Sequence, residues 1–129
     1  MPLVKIERRR RDGACAKADL FEAVHQAIRA AFHTPPHDRT QRFVEYQAED
    51  FEIPPGCSEA LTIIEISAFA GRSLDAKRAL YREIVSRTSA LGIPSEDVFI
   101  VLHDVPLENW GLKGGQAACD VDFGFKIKV

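Results

Sequence analysis

The sequence predicts an α+β fold in which two tandem β-α-β units form one four-stranded sheet with both helices on one face. Two observations carry this. Strand-like and helix-like periodicities follow one another twice in the same order along the 129 residues. The loops before the second strand of each unit, Thr34-Pro35-Pro36-His37-Asp38 and Gly92-Ile93-Pro94-Ser95-Glu96-Asp97, are alike in pattern. Their offset is roughly 58 residues, the mark of an internal repeat. Right-handed crossovers make the strands within each unit parallel. Two helices cover only one face of such a sheet. The other face, read as apolar, is expected to be covered by a partner.

The elements follow in order. Pro2 to Ile6 is a strand-like run. Residues from about Ala14 to Phe32 carry Leu20, Val24, Ala27, Ile28 and Ala31 on one helical face. Thr34-Pro35-Pro36 stops this helix, because proline cannot continue it and restricts the residue before it. Arg42 to Gln47 alternates as a second strand. Leu61 to Ser67 is rich in β-branched residues and reads as the third. Ser73 is placed to cap a second helix reaching about Ala90, with Asp75 in its first turn. Leu91-Gly92-Ile93-Pro94 ends that helix, and Val98 to Leu102 is the fourth strand. In the tail from Asp120, Val121, Phe123, Phe125, Ile127 and Val129 alternate strictly, as in an extra C-terminal strand. The whole is expected to be one domain over 1–129, with halves of about 2–58 and 59–115 plus the tail.

Composition narrows the function classes. The formal net charge is -2, which gives no general reason to expect nucleic acid. Hydrophobic residues make up 46% of the chain, too many for disorder. No apolar run approaches the ~20 residues of a membrane span. Arg8 to Arg11 interrupt the N-terminal apolar run, so no secretory signal is expected. Cys15, Cys57 and Cys119 are odd in number and scattered, which suits reduced thiols in a cytoplasmic protein. His33 and His37 are four apart, but Pro35 and Pro36 break any helix that would align them on a metal, and no metal is expected. The arginine run reads as a solvated turn after the first strand. Gly111-Leu112-Lys113-Gly114-Gly115 lacks the spacing of a phosphate loop and reads as a tight bend.

The motif with chemical promise is Met1-Pro2. Removal of Met1 turns Pro2 into a free secondary amine on a rigid ring, a base or nucleophile that an internal proline never offers. An ordinary α-amino group titrates at about 7.7–8.0, within reach of neutral pH.

Four segments are similar to the tautomerase superfamily, and within it to the malonate semialdehyde decarboxylase group. They are Met1-Pro2-Leu3-Val4-Lys5; Ala30 to Gln41, which resembles an A-F-x-x-P-x-x-D-R-x-Q stretch; Gly71-Arg72-Ser73 followed by Lys77; and Pro94 to Val98 through Glu108-Asn109-Trp110-Gly111. The resemblance implies a doubled β-α-β fold that assembles as a homotrimer with inward-facing sheets. It implies a cofactor-independent enzyme acting on a small carboxylate. Pro2 matches the amino-terminal proline that moves a proton as base or acid. Asp38 falls on the D-R aspartate, which orients or activates water or holds Pro2 in its charged form; a turn-capping aspartate is the structural alternative.

Arg72 follows Gly71 at the head of a helix, where a guanidinium fork and backbone donors suit a carboxylate. Trp110 reads as pocket wall, core or trimer interface. His25 resembles a histidine of the decarboxylase group, although a helical histidine is more often structural. The chain departs from that group at Ala70, where a second arginine is usual. A missing cation weakens carboxylate binding and transition-state stabilisation. Phe69 beside it suggests a more apolar mouth. The reading is a keto-enol tautomerase acting on a small 2-oxo or enol acid. Side activity as hydratase or decarboxylase, malonate semialdehyde decarboxylation proper, and a non-catalytic trimeric binding protein are the alternatives.

Overall fold

The structure, a computed structural model, describes residues 2–129. Strand β1 (Leu3–Arg9) is followed by helix α1 (Lys17–Phe32) and strand β2 (Thr40–Tyr46). The pattern repeats as β3 (Thr62–Phe69), α2 (Leu74–Ser89) and β4 (Val98–Val105). The sheet order is β2-β1-β3-β4. β1 runs parallel to β2 and β3 parallel to β4, while β1 and β3 are antiparallel at the centre. The two units are therefore related by an approximate two-fold axis, as a duplicated β-α-β unit requires. A short antiparallel hairpin, β5 (Gly111–Leu112) and β6 (Gln116–Ala117), supplies the extra C-terminal strands.

The helices pack on one face, where Val4, Ile6, Ile64, Ile66 and Ala68 meet Leu20, Val24, Ile28, Leu80 and Ile84. Each is buried, and truncating a leucine or isoleucine of this set to alanine costs about 2–5 kcal/mol. The helix ends are as the local chemistry dictates. The Ser73 side chain accepts from the Ala76 N–H at the head of α2. His33 closes α1 in the left-handed region at φ 57°, its N–H donating to the Arg29 carbonyl.

Three features differ from the sequence reading. First, β1 extends into the arginine run as far as Arg9. Arg8 is buried, with Nε 3.0 Å from Glu45 Oε2 and its guanidinium 4.9 Å from the Phe43 ring centroid. A partner on the adjacent strand keeps it in the sheet rather than in a solvated turn. Second, the free face is mixed rather than apolar. Ile63, Phe99 and Val101 share it with Lys5, Glu7 and Glu65, and His103 Nε2 lies 3.1 Å from Glu65 Oε1. Third, the tail alternates between half-buried and exposed residues from Val121 to Val129 but pairs with no strand. It is held by side chains instead. Phe123 and Ile127 pack on a second apolar cluster with Phe69, Trp110 and Leu3, covering the Pro2 end of the free face.

Candidate active site

The antiparallel pairing of β1 with β3 decides where chemistry can gather. Leu3 pairs with Thr40 on one side and with Ser67 on the other. The start of β1 thus lies beside the start of β2 and the end of β3. Phe69, at the end of β3, pairs with Val105 at the end of β4. Pro2, Asp38, Phe69, Arg72, Asp104 and Trp110 are brought by separate stretches of chain to one end of the sheet. Pro2, one residue before β1, is buried there.

Arg72 stands between β3 and the Ser73 cap of α2. Only 6% of it is exposed. Its Nη1 donates to the Phe69 carbonyl at 2.8 Å, and its guanidinium lies 4.8 Å from the Phe32 ring centroid. Among the described residues its buried Nε has no hydrogen-bond partner. Burial pushes the guanidinium below its ordinary pKa, and the negative charges of Asp104 and Asp38 pull it back up. These carboxylates are its electrostatic neighbours. Asp104 also accepts from Lys77 Nζ at 2.7 Å, so the head of α2 is tied to the end of β4.

Asp38 is half-buried in the loop before β2, where its N–H donates to the Pro35 carbonyl at 3.1 Å. It lines a cavity of about 330 Å³ together with Arg39, Thr40, Lys113, Phe123 and Phe125. His25 sits beneath this loop, and it, Pro2, Phe69, Arg72 and Trp110 all lie outside that lining. It is 3% exposed, and its Nε2 is 3.0 Å from the Pro36 carbonyl. Burial lowers its pKa, and Arg39 adds to the effect. A neutral ring donating from Nε2 therefore holds the loop that carries Asp38.

Phe69 is fully buried and Trp110 nearly so. Their rings meet edge to face at 5.1 Å, and Trp110 Nε1 donates to the Val105 carbonyl at 3.2 Å. Phe123 packs on the other side of Phe69 at 4.9 Å and contacts Phe125 at 6.2 Å. A row of aromatic rings thus runs from beneath the sheet end to the cavity wall. The tail that completes it passes over Gly71, at φ 132°, where an added Cβ would lie 3.3 Å from Ile127 and from Lys128. The Ser73 N–H donates to the Val129 carbonyl at 3.0 Å and fixes the tail's end.

Sequence reasoning did not single out Asp104, Lys113, Phe123 or Phe125 for the site. The signals were the alternating tail and the glycine-rich bend, which were read as a strand and a turn. A wider hollow of about 600 Å³ lies at the opposite end of β1, lined by Arg9, Arg10 and Arg11 among others, and holds none of the candidate site residues. Among the described residues no group of three or more His, Cys, Asp or Glu is arranged to hold a metal ion. No helix among them is long and apolar enough to cross a membrane.

A doubled β-α-β sheet of order β2-β1-β3-β4 with two helices on one face is the arrangement of a tautomerase-fold protein. Residues 38–113 match the family described as tautomerase enzyme. The probable tautomerase YusQ of Bacillus subtilis (strain 168) is 31% identical over 123 residues, spanning 91% of this chain and 97% of the relative. The chain belongs to the tautomerase family. The 2-hydroxymuconate tautomerase of Comamonas testosteroni is 39% identical over 54 residues, 41% of this chain but 86% of that protein, as a half-length relative of a doubled chain would be. Among solved structures, a wild-type symmetric trimer of fused 4-OT matches with a TM-score of 0.79 at 26% identity, covering 91% of this chain and 96% of that one. A malonate semialdehyde decarboxylase matches at 0.78 and 22% identity, over 93% and 99%. At that identity the second likeness concerns the fold.

Proposed function

We propose that this chain is a cofactor-independent tautomerase, an isomerase that interconverts the enol and keto forms of a small 2-oxo carboxylic acid. With Met1 removed, the Pro2 nitrogen is the proton carrier. It takes the proton from the enol hydroxyl as the carbonyl forms, then delivers it to the conjugated carbon. Arg72 binds the carboxylate and stabilises the negative charge that develops on the dienolate. Asp38 polarises or positions the reacting group. Phe69 and Trp110 form the apolar floor, and His25 acts through the loop that presents Asp38.

One observation carries the reading: by the β1–β2 and β1–β3 registers, Pro2, Asp38 and Arg72 lie towards the same end of the sheet. The unpartnered Nε of Arg72 supports it, because a buried donor without a partner is unfavourable unless a ligand completes it. The tautomerase relatives support the reaction class. Assembly as a homotrimer through the free sheet face belongs to the same proposal. It is supported by the half-exposed Phe99 and Val101 on that face and by the trimeric fused 4-OT.

The test compares two reactions. Ketonisation of 2-hydroxymuconate is followed by ultraviolet absorbance, and loss of carbon dioxide from malonate semialdehyde by a coupled assay. The proposal expects the first to be efficient and the second weak, because position 70 carries no cation. Efficient decarboxylation without enol turnover would replace the tautomerase reading with a lyase.

A further inference from the structure

The cavity beside Asp38 is lined by a lysine from elsewhere in the chain. We infer that Lys113, carried on the β5–β6 turn, is a carboxylate-binding cation of this cavity and a determinant of its preference for carboxylates. The inference rests on the proposed tautomerase reading for the identity of the cavity.

Three observations point to it. Lys113 shares the lining of the 330 Å³ cavity with Asp38. Arg39, the other cation there, is engaged by Glu22 at 3.0 Å, whereas among the described residues Lys113 makes no ion pair. The ammonium instead lies 5.9 Å from the centroid of Phe123, whose ring packs on Phe69.

The backbone at Lys113 is also specific. It adopts φ 48°, a left-handed conformation uncommon outside glycine, in a turn whose next two residues are glycines with positive φ. The turn is closed by Gly115 N–H donating to the Leu112 carbonyl at 3.1 Å, and Gln116 Nε2 donates to the Lys113 carbonyl at 2.9 Å. The backbone that carries the side chain is thus fixed, while its charged end, near the Phe123 ring, makes no ion pair among the described residues. A substrate whose reacting carbon lies near Asp38 presents its carboxylate to a cation that no protein carboxylate already occupies. Being exposed, Lys113 contributes less than a buried arginine would. Its role is to select charged over neutral ligands, not to transfer a proton.

The test measures equilibrium binding of cinnamate and of neutral cinnamamide by calorimetry at low salt, with wild type, Lys113→Gln and Lys113→Arg. Lys113→Gln should weaken cinnamate about three- to tenfold, as befits a partly solvated charged contact, and leave cinnamamide unchanged. Lys113→Arg should restore binding. In turnover of an enol acid, Lys113→Gln should raise KM and spare kcat, whereas loss of the proton carrier at Pro2 lowers kcat. Equal weakening of both ligands, unchanged cinnamate binding, or no binding by wild type would overturn the role of Lys113. If wild type bound cinnamate but turned over no enol acid, the tautomerase reading would fail while the two ligands still decided the role of Lys113.

Discussion

Replacing Arg72 separates its structural work from its proposed chemistry. The guanidinium satisfies the Phe69 carbonyl at 2.8 Å and lies over the Phe32 ring. Arg72→Ala orphans that carbonyl, at about 1–3 kcal/mol, and removes a desolvated cation–π contact of about 2 kcal/mol. Against this, the variant no longer keeps a charge out of water, which is the effect that lowers the arginine's pKa. The net loss of stability should therefore be modest, about 1–3 kcal/mol, and the fold should persist. Catalysis should suffer more. Losing a charged hydrogen bond to substrate removes about 1.5–3 kcal/mol, a roughly tenfold to hundredfold fall in kcat/KM. If the contact tightens as charge develops, kcat falls along with the rise in KM.

The assay pairs urea unfolding with turnover of an enol carboxylate and of its methyl ester. The ester should be a poor substrate for wild type and should change little in the variant. Ala70→Arg in the same background should recover part of the lost carboxylate preference. A folded Arg72→Ala protein with unchanged kcat/KM on the carboxylate would remove Arg72 from substrate binding.

Three further outcomes follow from particular contacts. His25 is held neutral by burial beside Arg39, so the unfolded chain binds its proton more readily than the folded one does. Stability should be fully present above the ordinary histidine pKa of about 6.5 and fall as pH drops below it; His25→Gln should flatten that slope in thermal melts recorded from pH 5 to 8. Gly71→Ala places a side chain at φ 132° against Ile127 and Lys128, and should lower stability by about 1–3 kcal/mol and speed proteolysis of the tail. Val101, 45% exposed on the free sheet face, should when changed to aspartate convert a trimer into smaller species in sedimentation velocity, whereas a wild-type monomer at micromolar concentration would contradict the proposed assembly.

Much of the fold was legible because local signals agreed. The Ser73 cap, the Pro35-Pro36 stop and the β-branched third strand each mark an element that forms where expected. What was not legible depended on contacts across the sheet. Nothing local told that Arg8 would find Glu45 and lengthen β1, nor that Lys5 and Glu65 would face each other on the free surface. The tail shows the limit most clearly. Its period of two was read from sequence, but that period serves equally for a paired strand and for an extended segment laid across Phe69 and Gly71. Of the proposed site residues, Pro2, Asp38 and Arg72 stood out through motif resemblance. Lys113, Phe123 and Phe125 did not, because only the folding-back of the C-terminal segment places them beside Asp38.

The most direct measurement is the enol-acid kcat/KM of Pro2→Ala beside wild type, on protein whose intact mass establishes that Met1 is absent. Alanine also permits removal of Met1 and leaves a primary amine in place of proline's secondary one. The account predicts wild type beginning at Pro2 and a fall of about a hundredfold or more in the variant, in keeping with the loss of a positioned acid–base group. Full activity in Pro2→Ala, or in wild type that retains Met1 and so has no free amine at Pro2, would contradict it.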